Sequence, residues 1–373
     1  MVGKAAVLLL SAAAIAAAAD HRSARIQWDS STLTLIQRNG LYGRMARLPD
    51  QNLLAIYERA ARVYTRLSRD EGRTWEGERS VASFEFGTAA NPEIAVLSSG
   101  WLLAAYNERP NDGAHRFAIK VLTSINNGES WSEPRLIYQA GADNGTGCWE
   151  PIFLVLPWGE VQIYFANEYP YPDTNEQEIT MLRSFDQGET WSEPVRVSRR
   201  DGRRDGMPVP VLLDWPHGIA VAIEDNGLSG TFKPVIVKTA AEDNWQSGHV
   251  GGDSERRWSA LEIPLVAGVY GGAPYLRQFP GGETVLSIQS GEGRARANTL
   301  DFSRMAVYVG DREARNFTNR SFPFDVAENA SGLWNSLFIK NATTVTAISG
   351  TTVNGIRGLW AIDGLLAYEE KEP

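Results

Sequence analysis

The sequence predicts an all-β protein, a six-bladed β-propeller of four-stranded antiparallel blades. Three observations lead to this fold class. A hairpin pattern recurs six times along the 373 residues, a turn motif ending in Trp is interleaved with it, and both recur about every 57 residues. Two hairpins per repeat make one four-stranded sheet, and the chain beyond residue 20 has room for about six repeats. Period, strand number and copy number together are those of a six-bladed propeller.

Each copy of the first pattern has two apolar strands joined by a short turn that contains Gly, Asn or Pro. This is the turn chemistry of a β-hairpin. The turns centre on Asn52, Gly100, Gly159, Gly218, Gly282 and Asn341. The steps between them are 48, 59, 59, 64 and 59 residues, so the spacing predicts one hairpin of this kind in every blade.

The second pattern is Ser-Arg-Asp-Glu-Gly-Arg-Thr-Trp at 68–75, with related octapeptides at 124–131 and 184–191 and a degenerate copy at 243–245. In such a turn the Asp or Asn caps backbone N–H groups and the Gly accepts a positive φ. The Trp packs back onto the sheet. We therefore expect four indoles to be buried on outer turns: Trp75, Trp131, Trp191 and Trp245.

The repeats indicate one domain over residues 20–373. A tandem array of small sandwiches would need linkers rich in Pro, Gly or Ser between the units, and the sequence contains none. Residues 1–19 differ from the rest: Lys4 precedes an apolar run that continues to Ala19. A short positive start, about 15 apolar residues and an Ala-rich end describe a secretory signal. The run is shorter than the ~20 residues that span a bilayer. We expect a secreted or periplasmic protein without a membrane anchor.

Composition excludes several classes of function. The formal charge is −9, which argues against a nucleic-acid partner. Cys148 is the single cysteine, so no intramolecular disulfide forms, and we expect its thiol to be buried. Four scattered His residues and one Cys offer no metal-binding spacing. We expect no metal, no cofactor and a monomeric chain.

The Ser-x-Asp-x-Gly-x-Thr-Trp turns resemble the Asp-box of the sialidase superfamily. Three good copies at blade spacing make the resemblance strong over about residues 25–365. It implies the six-bladed propeller, with a site where the innermost strands of several blades converge. It does not by itself imply an activity, since function depends on the site and not on the fold.

Two segments resemble the exo-arabinanases, which are propeller glycosidases of the sialidase-like group. They are Trp149-Glu150-Pro151, and Arg204-Asp205-Gly206-Met207 followed by Glu224 at the end of a strand. The resemblance implies a retaining pair of glutamates at Glu150 and Glu224. Retaining hydrolysis needs a carboxylate nucleophile and a carboxylic acid about 5–5.5 Å apart. We assign the nucleophile to Glu224 and the acid/base to Glu150, whose neighbour Trp149 is apolar; the pair is the firmer prediction, and the roles are open to exchange.

The candidate substrate-binding residues are Arg44, Asn91, Trp149, Arg204, Asp205, Tyr275, Arg277 and Trp334. Arg44 resembles the first of the three arginines by which sialidases bind a carboxylate. However, the stretch 57–69 has no Asp where the sialidase acid/base would lie, and Trp334 stands where the nucleophilic Tyr is expected.

Three functions therefore stay open. The first is an exo-acting retaining glycoside hydrolase on arabinan-type or related neutral oligo- or polysaccharides. The second is an exo-α-sialidase, for which Arg204 and Arg277 would complete the arginine triad. The third is a propeller that binds a glycan or a protein without catalysis.

Overall fold

The structure is a computed structural model, and it describes residues 23–214 and 218–369. The proposed signal segment, residues 1–19, lies outside this part of the chain. The described residues form six four-stranded antiparallel sheets arranged as the blades of a propeller. The predicted fold class is therefore confirmed, including the number of blades and of strands per blade.

The blades follow one another along the chain, and each begins with its innermost strand. Blade 1 contains β2 (Leu41–Arg47), β3 (Leu53–Arg59), β4 (Arg62–Ser68) and β5 (Glu76–Ser83). Blade 2 contains β6 (Gly87–Val96), β7 (Leu102–Pro110), β8 (Ala118–Ser124) and β9 (Arg135–Gln139). Blade 3 contains β10 (Cys148–Val155), β11 (Val161–Asn167), β12 (Glu178–Ser184) and β13 (Val195–Ser198). A 3₁₀ turn at Asn144–Thr146 precedes it.

Blade 4 contains β14 (Asp205–Leu213), β15 (Gly218–Asp225), β16 (Lys233–Ala240) and β17 (Arg257–Ser259). Blade 5 contains β18 (Gly271–Gln278), β19 (Thr284–Ser290), β20 (Arg304–Gly310) and β21 (Thr318–Ser321). Blade 6 contains β22 (Leu333–Ile339), β23 (Thr344–Val353), β24 (Ile356–Glu369) and, as its outermost strand, β1 (Ser23–Arg38).

The two ends of the chain close the ring. β1 pairs with β24 in antiparallel register, for example Ile26 with Leu366, so the first strand completes the last blade. The innermost strands β22 and β2 then pack against each other. Because the sixth sheet needs strands from both ends, the ring forms only when the whole chain has folded.

The core lies between the blades. The second strands β11 and β19 are buried at every position, because each is covered on both faces by a neighbouring blade. The outermost strand β5 is exposed over most of its length. Strands packed on both faces contain continuous apolar runs rather than an alternation of apolar and polar residues, and Ile-Tyr-Phe-Ala at 163–166 in β11 is such a run.

The Asp and Asn turns join the third and fourth strands. In the turn at 184–191, Asp186 accepts hydrogen bonds from the backbone N–H of Thr190 at 2.9 Å and from its hydroxyl at 2.5 Å. Gly188 has φ +88°, and the Trp191 indole donates to its carbonyl at 3.1 Å. Of the four indoles, Trp75 and Trp245 are buried as predicted, whereas Trp131 and Trp191 are only partly buried.

Replacing Asp186 should destabilise the protein without changing its fold. Asp186→Ala removes an acceptor for several local hydrogen bonds, each with a net value of about 1 kcal/mol. We expect a loss of about 1–2 kcal/mol and a melting temperature lower by a few degrees, measured by differential scanning fluorimetry. Asp201→Ala is the control, because that side chain is 90% exposed. An equal shift for both variants would contradict a capping role.

Candidate active site at the inner bulges

The innermost strand of every blade carries a β-bulge at the same position. The pairing of the first two strands skips two residues in all six blades. The first residue of each bulge has a positive φ, between +46° and +58°: Tyr42, Asn91, Glu150, Met207, Ala273 and Trp334. None of the six is Gly, although a positive φ is uncommon for other residues. We call these six the bulge residues; the face of the propeller on which the innermost strands begin is the site face.

The sequence favours these bulges through the residue that follows. In four blades it is a proline: Pro92, Pro151, Pro208 and Pro274. Proline has no N–H to give to the ladder, so within a sheet it is confined to edges and bulges. The left-handed conformation of the preceding residue costs about 1–2 kcal/mol. Such strain is retained where the surrounding structure enforces it, which is often at functional sites.

Hydrogen bonds between blades hold the bulges in place. Glu58 accepts from the backbone N–H of Asn91 at 3.0 Å, and Glu224 accepts from that of Ala273 at 2.8 Å. Gln289 accepts from the N–H of Trp334 in the same way. In all three cases the acceptor lies on the second strand of one blade and pairs with the residue before its bulge. The bulges therefore place side chains from adjacent blades in one ring.

Four bulge residues form an apolar cluster at the axis. Tyr42, Met207 and Ala273 are buried against one another, and Trp334 packs on them with its ring 6.2 Å from that of Tyr42. The other two bulge residues, Asn91 and Glu150, are polar. The ring therefore has an apolar side and a polar side, and Glu150 lies on the polar side.

Glu150 and Glu224 lie against the same segment of blade 4. Met207 donates its backbone N–H to Glu150. A Cβ on the preceding residue, Gly206, would lie 3.0 Å from Oε1 of Glu224. Both side chains are partly buried but retain some exposure. The structure thus brings together the two glutamates that the sequence predicted as a pair.

Each of these carboxyl groups is hard to ionise. Burial raises the pKa of Glu224 to about 8, and the negative charge of Glu150 adds to the rise. The hydrogen bond from the Ala273 N–H and the charge of Arg204 act in the opposite direction and lower this pKa. Burial also raises the pKa of Glu150, while Arg109 and the Met207 N–H lower it. Two carboxyl groups in one low-dielectric site do not both ionise easily, which is the cause of the rise that Glu150 adds to the pKa of Glu224.

Cations approach the pair from two neighbouring blades. Arg204 donates to Glu168 and, at 2.8 Å, to Asn175. Its charge lowers the pKa of both Glu150 and Glu224. Arg109 donates to Asn91, and its guanidinium lies 4.9 Å from the Trp149 ring. The predicted residues Asn91, Trp149 and Arg204 therefore all lie around the glutamate pair.

A second group of predicted residues lies on the blades that flank Trp334. Arg44 is 3% exposed, with Nε 3.4 Å from Oε2 of Glu93. Tyr275 lies between two guanidinium groups, at 4.9 Å from Arg44 and 4.4 Å from Arg277. Arg277 also donates to the Tyr275 hydroxyl at 2.6 Å. Two of the three arginines considered for a triad thus share a partner, whereas Arg204 makes its contacts with Glu168 and Asn175.

Asp205 is not exposed to a ligand, so the prediction that it binds substrate is wrong. Its side chain has no exposed surface and accepts two hydrogen bonds from Arg257, at 2.9 and 2.5 Å. Arg257 also donates to Asp225 at 2.5 Å. Asp225 follows Glu224 in the chain and pairs with Asp205 in the sheet. This buried ion network fixes the strand end that carries Glu224.

The glutamates near the ends of the second strands are not equivalent. Glu58 and Glu224 occupy the same register, opposite the residue before the bulge. Glu108 is one residue further on and pairs with Lys120 at 2.8 Å. Glu168 lies beyond the end of β11 and accepts from Arg204. A shift of one residue turns a side chain to the other face of the sheet.

Several residues of the site were missed from the sequence: Tyr42, Glu93, Arg109, Met207, Tyr270 and Ala273. Tyr270 is buried, and burial is the main cause that raises the pKa of its hydroxyl. The charges of Glu224 and Glu150 raise this pKa further. The available signal was the X-Pro dipeptide that opens four innermost strands. In each of these strands the residue before the proline is the bulge residue, so the dipeptide identifies Asn91, Met207 and Ala273 as directly as it identifies Glu150.

Two further results concern the described part of the chain. Within residues 23–214 and 218–369, no cluster of three or more His, Cys, Asp or Glu side chains is arranged to hold a metal ion. In the same part, no helix has the length and apolar character needed to cross a membrane. Cys148 is fully buried, as predicted, and burial raises the pKa of its thiol.

Comparison with known proteins supports the predicted resemblance. A BNR repeat-like domain profile matches residues 100–251. A protein of unknown function from Dyadobacter fermentans aligns with a TM-score of 0.70 at 13% identity, over 92% of this chain and 99% of that one. An α-L-arabinanase from Penicillium chrysogenum, complexed with arabinobiose, aligns with a TM-score of 0.67 at 17% identity, over 90% and 98%.

An α-L-arabinofuranosidase from Fusarium graminearum aligns with a TM-score of 0.65 at 15% identity, over 92% of this chain and 96% of that one. Sialidases also match, at 11–13% identity. No match was found among curated proteins. The resemblance to the sialidase superfamily and its arabinanase-like relatives is thus confirmed for the fold. The arabinanase, the arabinofuranosidase and the sialidases among these neighbours are glycoside hydrolases.

The Glu224 carboxyl should make stability depend on pH in a specific direction. Its pKa is about 8 in the folded protein against 4.5 ordinarily, so the folded state holds the proton that the unfolded state releases. Stability therefore falls as pH rises from about 4.5 to 8. Glu224→Gln removes this loss, and its advantage over the parent should grow across that range to the order of a few kcal/mol.

Urea unfolding at a series of pH values measures this difference. Glu133→Gln is the control, because that side chain is exposed on the opposite face of the propeller. A difference between Glu224→Gln and the parent that is constant from pH 4.5 to 9 would show that Glu224 is ionised throughout.

Proposed function

We propose that this protein is an exo-acting, retaining glycoside hydrolase that uses Glu150 and Glu224 on arabinan-type or related neutral glycans. The observation that carries the proposal is the carboxyl pair itself. Two partly exposed glutamates on adjacent blades lie against the Gly206–Met207 segment, and the charge of one raises the pKa of the other. A protonated acid beside a carboxylate is the equipment of glycoside hydrolysis.

The surroundings of the pair favour an exchange of the two roles assigned from the sequence. Arg109 and Arg204 both lower the pKa of Glu150. The pKa of Glu224 is lowered by the charge of Arg204 but raised by the charge of Glu150. We therefore assign the carboxylate to Glu150 and the proton to Glu224. Trp149 as a chain neighbour suggested the opposite, but neighbours in space determine where the proton lies.

The reaction then proceeds in two displacements. The Glu150 carboxylate attacks the anomeric carbon while Glu224 donates its proton to the leaving glycosidic oxygen, so the C–O bond breaks and a glycosyl ester of Glu150 forms. Glu224, now a carboxylate, takes a proton from water as that water attacks the same carbon. Glu150 leaves and Glu224 is protonated again. Two inversions give retention of configuration.

Neighbouring groups hold these carboxyls in position. The N–H groups of Met207 and Ala273 are fixed by the bulges and each donates to one carboxyl. The absence of a side chain at Gly272 leaves room for the Glu224 carboxyl, because a Cβ there would lie 2.4 Å from its Oε2. Positioning of this kind lowers the barrier by removing the need to orient the groups during reaction.

The loop 168–177 supports an exo mode of action. It stands beside the pair on the site face and is held rigidly. Tyr171 donates to Glu178 at 2.5 Å, and the Arg199 guanidinium lies 4.8 Å from the Tyr171 ring. A fixed wall on one side of the cleft favours a chain end over the middle of a polymer. Export directed by residues 1–19 is part of the proposal, since a polysaccharide substrate is met outside the cell.

Removing either carboxyl should abolish most of the activity, and chemical rescue should separate the roles. We expect Glu150→Ala and Glu224→Ala to lower kcat by roughly 10²–10⁴-fold or more on arabino-oligosaccharides. Glu224→Ala should keep activity on aryl arabinosides with good leaving groups, and azide should then give a product of retained configuration. With azide, Glu150→Ala should give an inverted arabinosyl azide.

The control for these variants is Glu108→Gln, because Glu108 lies near the end of a second strand but is paired with Lys120. It should retain the activity of the parent protein. The opposite pattern of rescue would return the roles to those assigned from the sequence. Full activity of either alanine variant would exclude the two-glutamate mechanism.

Substrate charge is the second test. Glu93 supplies an internal carboxylate to Arg44, and Arg277 is engaged with Tyr275, so a substrate carboxylate would have to displace existing partners. We expect release of arabinose units from arabino-oligosaccharides and no release of sialic acid from sialosides, measured by chromatography of products. Turnover of sialosides would favour the sialidase function. Binding of glycans without any turnover would favour a non-catalytic propeller.

A further inference from the structure

The innermost strand of blade 2 extends further beyond its bulge on the site face than that of any other blade, and we call this extension the wall of blade 2. β6 begins four residues before its bulge residue, Asn91. The other innermost strands begin only one or two residues before theirs. The extra residues of β6 pair with β7 as far as Gly87 with Pro110. The edge of this wall carries an aromatic group that the catalytic pair does not use.

This group is built from parallel rings. The Phe86 and His115 rings stack with centroids 3.7 Å apart and planes 10° apart, and Phe84 packs edge-on against both. Phe86 is 40% exposed and the His115 side chain 42%. Asp112 holds the His115 ring by a contact of 2.6 Å, and it also accepts the backbone N–H of His115 at 3.0 Å. We call Phe84, Phe86 and His115 the aromatic platform. These contacts fix it before any ligand arrives.

The platform continues toward the glutamate pair. Arg116 follows His115 and lies 6.0 Å from the ring of Tyr169, which is 42% exposed. Tyr169 in turn follows Glu168, which accepts a hydrogen bond from the backbone N–H of Gly147 at 3.2 Å. The charge of Glu168 also raises the pKa of Glu150. Exposed aromatic faces thus extend from the edge of blade 2 to the entrance of the proposed cleft.

We infer that Phe86, His115 and Tyr169 form a distal binding site for the further sugar units of a glycan chain whose end lies at Glu150 and Glu224. Aromatic rings present large apolar faces at low entropic cost, and exposed patches of this kind mark binding grooves. Phe86 lies five residues before Asn91, or about 16 Å along an extended strand. That distance places the platform beyond the terminal sugar. The inference rests on the proposed function and specifies that its substrate is a chain of several units.

The test is a comparison of short and long ligands. Linear arabino-oligosaccharides of two and six units are titrated calorimetrically into full-length Glu224→Gln protein, which cleaves slowly. We expect the longer ligand to bind more tightly. Adding Phe86→Ala and His115→Ala should weaken binding of the six-unit ligand by roughly 3- to 10-fold. Binding of the two-unit ligand should change less than twofold.

Two matched variants separate binding from folding. His115→Phe keeps the ring and should keep the gain from ligand length. Trp158→Ala removes a 55% exposed aromatic from the opposite face and should change neither affinity. Equal losses for both ligands, or no loss for the longer one, would overturn the inference.

Failure of the inference and failure of the proposed function give different results. If the parent protein hydrolyses arabinobiose but ligand length has no effect on binding, the distal site is wrong and the hydrolase stands. If no arabinoside is hydrolysed but the length effect depends on the platform, the glycan site stands without catalysis. If neither ligand binds or is cleaved, both are wrong.

Discussion

The bulge in each innermost strand is the constraint on which the rest of the site depends. A regular strand alternates its side chains between the two faces of the sheet, so it can direct few of them toward the axis of a propeller. A bulge inserts one residue, bends the strand and re-aims a side chain. Repeated in six blades, it gathers six side chains in one ring. In four of the six blades a side chain of the neighbouring blade accepts the backbone N–H of the bulge residue, namely Asn91, Met207, Ala273 or Trp334, which helps to retain the left-handed conformation there.

The charges of the site are stabilised from behind as well as from within. Asp205, Asp225 and Arg257 form a buried network directly beside Glu224. Removing one partner of such a network would leave an uncompensated buried charge. Because this network lies behind the strand end, Glu224 can be held in a partly apolar position where its pKa rises to about 8. A buried carboxyl group destabilises an ordinary sheet, but Glu224 is retained because the ion network fixes the end of the strand that carries it.

The named structural neighbours explain the architecture but not the chemistry. Arabinanase-like and sialidase-like proteins align with the same six blades at identities of 17% or less. Since one fold supports many activities, the residues at the bulges and at the ends of the second strands carry the argument for function. The ion pair of Arg44 with Glu93 is one example, because Glu93 engages an arginine that could otherwise bind the carboxylate of a substrate.

The sequence alone determined the blades. The hairpin turns, the Asp and Asn turns and their spacing are local signals, because a turn is specified by the residues within it. They were sufficient for six four-stranded sheets, whereas the pairing of Glu150 with Glu224 was predicted from the resemblance of two other short segments. They were not sufficient for Asp205, which the sequence placed at the substrate and the structure buries against Arg257, 52 residues away.

Only the tertiary structure decided which side chains meet. The equivalence of Glu58 with Glu224, and the difference of Glu108 from both, depends on register, which one residue of shift reverses. The pKa of Glu150 is likewise lowered by the charges of Arg109 and Arg204, which come from other blades than Glu150. Turn chemistry acts over a few residues and can be read along the chain. Burial and charge act through space, so their effects on the site follow only once the blades are packed around the axis.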